Sequence, residues 1–109
     1  MANTFKLKTK ANVGVTTVGI YTAPAATTTV VIGITMANTS GSGVNVGVGI
    51  TRAGTTEDIK LLKNAPIPSG SSLEFMAVNK VVLETNDQIN VDSDTNNSVD
   101  AALTIMEIT

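Results

Sequence analysis

More than a third of the 109 residues are threonine, valine or isoleucine, and they alternate with one another and with polar residues in stretch after stretch. Branching at Cβ restricts χ1 and suits a pleated surface better than a helical turn. Alternation with period two turns one face of each stretch towards a core and the other towards water. This constraint predicts an all-β chain. One segment, residues 55–64 (TTEDIKLLKN), also tolerates a helix of one or two turns, with Thr55 or Thr56 as N-cap and acids following. A strand fits it equally well.

Residues 5–10 carry Phe5, Leu7 and Thr9 on one face and Lys6, Lys8 and Lys10 on the other. Residues 13–22 alternate in two halves whose phase changes across Thr16-Thr17, as a bulge or kink would require. Pro24 ends that stretch. Residues 27–38 place Val30, Ile32, Ile34 and Met36 on one face, and residues 44–51 answer with Val44, Val46, Val48 and Ile50. The intervening TSGSG reads as a hairpin loop, so these two stretches are expected to pair antiparallel. Residues 65–70 (APIPSG) read as a proline-rich turn. Leu73 and Phe75 share a face, with Met76 and Val78 near the other; residues 80–84, 88–91 and 98–109 complete about seven to nine short strands. Regular short strands of this kind predict a single-domain antiparallel β-sandwich, jelly-roll or Ig-like. Residues 1–10 are expected to form a terminal strand or arm, and residues 11–109 the sandwich. Its expected core contains Ile32, Ile34, Val46, Val48, Leu73, Phe75, Leu83, Leu103 and Ile105.

The chemistry open to such a chain is narrow. It has no histidine and no cysteine, and its aromatics are Phe5, Tyr21 and Phe75. Imidazole acid–base catalysis, thiolate nucleophiles, disulfides, zinc sites and haem ligation therefore lack their residues. A net charge of −2 and a pI near 4.8 give no electrostatic footprint for nucleic acid. No apolar run approaches the length of a membrane helix, and the first residues do not read as a signal peptide. The segment Asp92-Ser93-Asp94-Thr95-Asn96 opens like a calcium loop, but Asn97 and Leu103 stand where its glycine and bidentate glutamate belong. Glu57, Asp58 and Asp87 show no pairing that glycoside hydrolysis requires. Serines in the glycine-rich turns have no base beside them, and no phosphate-loop lysine follows Gly43. No cofactor is expected.

One charge feature remains. Lys6, Lys8 and Lys10 open the chain, whereas from Glu84 onward there are six acids and no base. Two readings stand: an ordinary solvated surface, or a basic end on one copy meeting an acidic end, with Asp92 and Asp94, on another. Under the second reading the assembly contacts are Phe5, Lys6, Leu7, Lys8, Lys10, Asp92 and Asp94.

Three pieces of sequence carry a resemblance: Tyr-Thr-Ala-Pro at 21–24, Ile-Gly-Ile-Thr-Met-Ala-Asn-Thr-Ser at 32–40, and Lys-Asn-Ala-Pro-Ile-Pro-Ser-Gly-Ser-Ser-Leu at 63–73. With residues 81–91 they span most of the chain, and in this order they resemble small virion structural proteins of tailed bacteriophages, cyanophages among them. The resemblance implies a non-enzymatic β-sandwich carried on the particle in many copies. The role expected from it is capsid decoration, with a neck, collar or tail ring as the alternative and a host-surface or carbohydrate-binding module third. The partners it implies are other copies of the chain, as a trimer or ring, and the major capsid protein or neck and tail proteins, with neither nucleic acid nor membrane bound. The calcium-like loop gives the first testable outcome: calcium or a chelator leaves the melting temperature unchanged, whereas a shift of several degrees would establish an ion site there.

Overall fold

A computed structural model describes residues 3–54, 57–75 and 80–109. Thr55, Thr56, Met76 and Val78, and residues 1–2 of the expected terminal strand or arm, lie outside the described residues. The strands are β1 (Asn3–Val13), β2 (Val18–Thr22), β3 (Thr28–Asn38), β4 (Val44–Thr51), β5 (Asp58–Ile67), β6 (Ser72–Phe75), β7 (Val81–Leu83), β8 (Gln88–Ser93) and β9 (Val99–Ile108). The segment that tolerated either structure is the strand β5.

The strands form two antiparallel sheets. The first has the order β1-β9-β3-β6, with β7 also paired to β3; the second has the order β2-β8-β4-β5. The chain passes from one sheet to the other after β1, β2, β3, β5, β7 and β8. This is the connectivity of a jelly roll, which decides between the two sandwich types expected. Apolar residues from both inner faces fill the space between the sheets: Val31, Ile34, Met36, Leu103 and Ile105 from one, and Val46, Val48, Ile50, Ile89 and Val91 from the other.

The expected hairpin between residues 27–38 and 44–51 does not form. β3 lies in one sheet between β9 and the β6–β7 pair, and β4 lies in the other between β8 and β5. Each stretch has a largely apolar face, and crossing the sandwich sets those two faces towards each other, whereas a hairpin would set them side by side. Asn38 fixes the crossover. Its side chain is buried, donates to the carbonyls of Ser42 (2.8 Å) and Ile67 (2.9 Å), and accepts from the Ser40 amide (2.9 Å) and hydroxyl (2.7 Å).

A second correction concerns facing. The β3–β9 register shifts between Val31 and Gly33, so the inward set is Thr29, Val31, Ile34, Met36 and Asn38. Ile32 was expected in the core; the bulge leaves it half-buried and turns Val30 to the outer face. Leu73 and Phe75 are also half-buried, because β6 is an edge strand. Of the other expected core residues, Ile34, Val46, Val48, Leu83, Leu103 and Ile105 are buried. The turn expected at residues 65–70 begins only at Pro68, since Ala65-Pro66-Ile67 continue β5. Pro66 is tolerated there because β5 is the edge of its sheet. At Thr16-Thr17 the chain does more than kink: it leaves one sheet for the other between Val13 and Val18.

The bulge is testable. Ile34→Ala is expected to cost roughly 2–4 kcal/mol in urea denaturation, the range for truncating an enclosed branched side chain. Ile32→Ala is expected to cost clearly less, and equal costs would place both side chains in the core.

Candidate assembly surface

Residues opposite one another on neighbouring strands share a face. β9 turns Val99, Ala101, Leu103, Ile105 and Glu107 inward. β1 sets Lys6 opposite Ile105, Lys8 opposite Leu103 and Lys10 opposite Ala101. The lysines therefore occupy the inner side of the sheet, at its free edge, while Phe5, Leu7 and Thr9 occupy the outer side.

The inner side holds a polar network. Glu107 is only 7% exposed and accepts from the Lys6 ammonium (2.9 Å) and from the Tyr21 hydroxyl (2.5 Å). The Tyr21 hydroxyl also lies 2.8 Å from the fully buried Thr29 hydroxyl. Lys8 Nζ stands 6.0 Å from the centre of the Tyr21 ring, at the outer limit of a cation–π contact. The Tyr21 hydrogen bond and then Lys6 hold the Glu107 carboxyl below its usual range, against the opposing effect of burial. Burial and the neighbouring carboxylate push the Tyr21 phenol up to about 12. The pair is thus carboxylate and phenol at neutral pH, and β1 is tied to β2, β3 and β9 at one point.

A second cluster secures the turn between β7 and β8, whose Asp87 carbonyl accepts from the Ala23 amide (2.9 Å). Asp87 is buried and accepts from the amides of Ala53 and Glu84, both at 3.0 Å. Arg52 lies 3.1 Å from Asp87 and 2.7 Å from Glu84. Burial opposes ionisation of Asp87, but the two amides and the guanidinium outweigh it and its pKa is lowered.

The two outer faces differ. On the four-stranded sheet, the Asp92 and Asn90 side chains lie across Gly47 and Gly49, where a Cβ would come within 2.7 and 2.9 Å of them. Asp92 accepts from the Thr17 hydroxyl (3.0 Å) and lies 3.7 Å from the Lys60 ammonium, and Asn90 donates to Thr51 (3.1 Å). This face is polar and internally bonded. The outer face of the other sheet carries exposed apolar side chains: Phe5 is 68%, Leu7 64% and Val82 56% exposed. Phe5 is opposite Met106, Met106 opposite Val30, and Val30 opposite Val82, so the four form one row across β1, β9, β3 and β7.

Among the residues singled out from sequence, Lys6 and Lys8 come together at Tyr21 and Glu107, and Phe5 and Leu7 stand together on the outer face. Lys10 is exposed on the inner side. Asp92 and Asp94 are engaged elsewhere, Asp92 on the other sheet and Asp94 with the Asn45 amide (3.1 Å) and the Thr95 hydroxyl (3.1 Å). Sequence reasoning passed over Tyr21, Glu107, Val30, Val82 and Met106. Counting by twos from Val99 would have turned Glu107 inward.

No protein-family model matches the sequence, and no curated protein is significantly similar to it. Solved structures match the fold. A protein from the disulfide-linked pili of Bacillus endospore appendages has TM-score 0.57 and 13% identity, over 99% of this chain and 87% of that one. A chain of the T13 infectious bursal disease virus particle has TM-score 0.59 and 15% identity over 96% of this chain. A chain of the Gx strain of that virus has TM-score 0.58 and 12% identity over 95%. The present chain spans about a third of those two viral chains, 30% and 33%.

Both depressed carboxylates make stability depend on acid. Each favours the folded state above the ordinary carboxylate pKa, and that contribution is lost as pH falls through its lowered folded value. The melting temperature is expected to fall below about pH 4. Glu107→Gln is expected to lower it at neutral pH and to flatten the acid slope, and an unchanged slope in a thermal melt series would remove Glu107 from this role.

Proposed function

We propose that the chain is a non-enzymatic virion structural protein of a tailed bacteriophage, and specifically a capsid decoration protein. It assembles in the bacterial cytoplasm onto the particle, in contact with copies of itself as a trimer or ring and with the major capsid protein. Residues 1–10 form its contact arm. The observation that carries this reading is the exposed apolar row on the outer face of one sheet, Phe5 at its β1 end, in a fold whose other face is polar and sealed. Uncovered apolar surface of this kind marks an association site. The sequence resemblance to phage virion proteins and the fold shared with viral particle chains support the same reading.

The match along nearly the whole length of a pilus protein supports a second reading, a repeating tail or neck component. This chain contains no cysteine, so any such polymer of it is held non-covalently.

Copy number separates the two. Densitometry of purified particles is expected to give hundreds of copies for decoration, and about six to twelve for a ring. A Phe5→Ser, Leu7→Ser double variant is expected to fold but to load poorly, because both side chains are already in water in the free chain. Full loading of that variant would remove residues 1–10 from the contact.

A further inference from the structure

We infer that the outer face of the five-stranded sheet packs on the same face of a second copy, centred on the row Phe5–Met106–Val30–Val82. The inference rests on the reading of the chain as a self-assembling module and names the partner of its apolar face.

Two surfaces of β1 are available to a partner, its free edge and its outer face. The edge is guarded. Lys6, Lys8 and Lys10 project to the inner side of the sheet, and a strand added at that edge would enclose ammonium groups that now reach water around it. Inward-pointing charges on edge strands block sheet extension in this way. The outer face carries no such obstacle. Leu7 is opposite Thr104 and Thr9 is opposite Ala102, so the positions beside the row on β1 and β9 are uncharged as well. Charges of both signs border the row at its β7 end, where Lys80 and Glu84 stand two residues either side of Val82 and Arg52 lies beside the same depression as Val82 and Glu84. Further along the face Glu74 is opposite Thr35 and Asp100 opposite Ala37, but the row itself is neutral.

This neutrality selects the occupant. A charged partner surface would find no countercharge at the row and would lose its own hydration. A second copy brings an identical neutral row, which meets it without repulsion. Size points the same way. Three residues more than half in water, with half-buried Val30, Ile32, Met106 and Ile108 between and around them, present roughly 500 Å² of apolar surface, in the upper range for the largest patch on a monomer. Two copies bury about 1,000 Å² in total, the lower bound for a specific interface. The contact is therefore weak and reversible in solution. It joins copies in pairs, whatever rotational assembly forms through other surfaces, and becomes firm only where many copies are held together.

Sedimentation velocity of the whole chain over a concentration series tests this. The expected result is reversible pairing that Phe5→Glu and Val82→Glu each weaken by about a hundredfold or more, since each substitution places two charges in one symmetric interface. Both variants are expected to melt within about 3 °C of the parent, because neither side chain belongs to the core. Val82 lies on β7, across the sheet from β1, so its substitution separates face packing from edge pairing. A parent chain that stays monomeric at millimolar concentration overturns the inference, and so does pairing that Val82→Glu leaves intact. A monomeric chain that still loads onto particles in hundreds of copies overturns this inference alone. A chain that pairs through the row but never loads overturns the decoration reading and leaves this one standing.

Discussion

The parity of β9 governs the molecule. This strand is hydrogen-bonded on both sides, and its inward set of Val99, Ala101, Leu103, Ile105 and Glu107 admits one register. A slip by one residue would put Thr104 and Met106 into the core and leave Leu103 and Ile105 in water. Once β9 is fixed, so are its neighbours. β3 follows with a bulge at residues 32–33 that keeps both of its halves in phase, and β1 follows with its lysines turned inward. The single acid in the inward set lies at the end of the strand, where Tyr21 and Lys6 reach it. A carboxylate buried without such partners would be expensive, and the network makes its burial tolerable.

The two outer faces have been finished differently by simple means. On the four-stranded sheet, glycines let longer polar side chains lie flat across the strands and bond there, so the surface satisfies itself. On the five-stranded sheet, the outward positions of β1, β9, β3 and β7 are apolar in one continuous row. One side of the sandwich is thus suited to permanent contact with water and the other to a partner. The distinction is written in the alternate residues of strands whose inner faces look alike.

Fold class was legible because it depends on local chemistry. β-Branched alternation and glycine- and proline-bounded spacing placed most strands, and most of the expected core is buried. Pairing was less legible. The stretches ending at Asn38 and beginning at Val44 look like a hairpin locally, and only the demand that two apolar faces meet across a core sends them to separate sheets. Facing failed at Ile32 for a related reason: a bulge changes phase without leaving a clear mark in sequence, and Gly33 was its only sign. For the candidate surface, alternation separated Lys6, Lys8 and Lys10 from Phe5 and Leu7, but it could not say which set faces inward. That choice is made by β9, nearly a hundred residues away in the chain, and rests on Glu107.

The placement of Tyr21 has an optical consequence. It is the only tyrosine, and the chain has no tryptophan, so its near-ultraviolet absorption and emission come chiefly from this one ring. That ring sits where β1, β2, β3 and β9 converge, hydrogen-bonded to a carboxylate. The far-ultraviolet signal, by contrast, averages over every strand. The two signals therefore watch different things, a single knot and the whole weave. Where they diverge as conditions change, the interval between them measures how far the terminal strand can loosen while the sandwich beneath it holds.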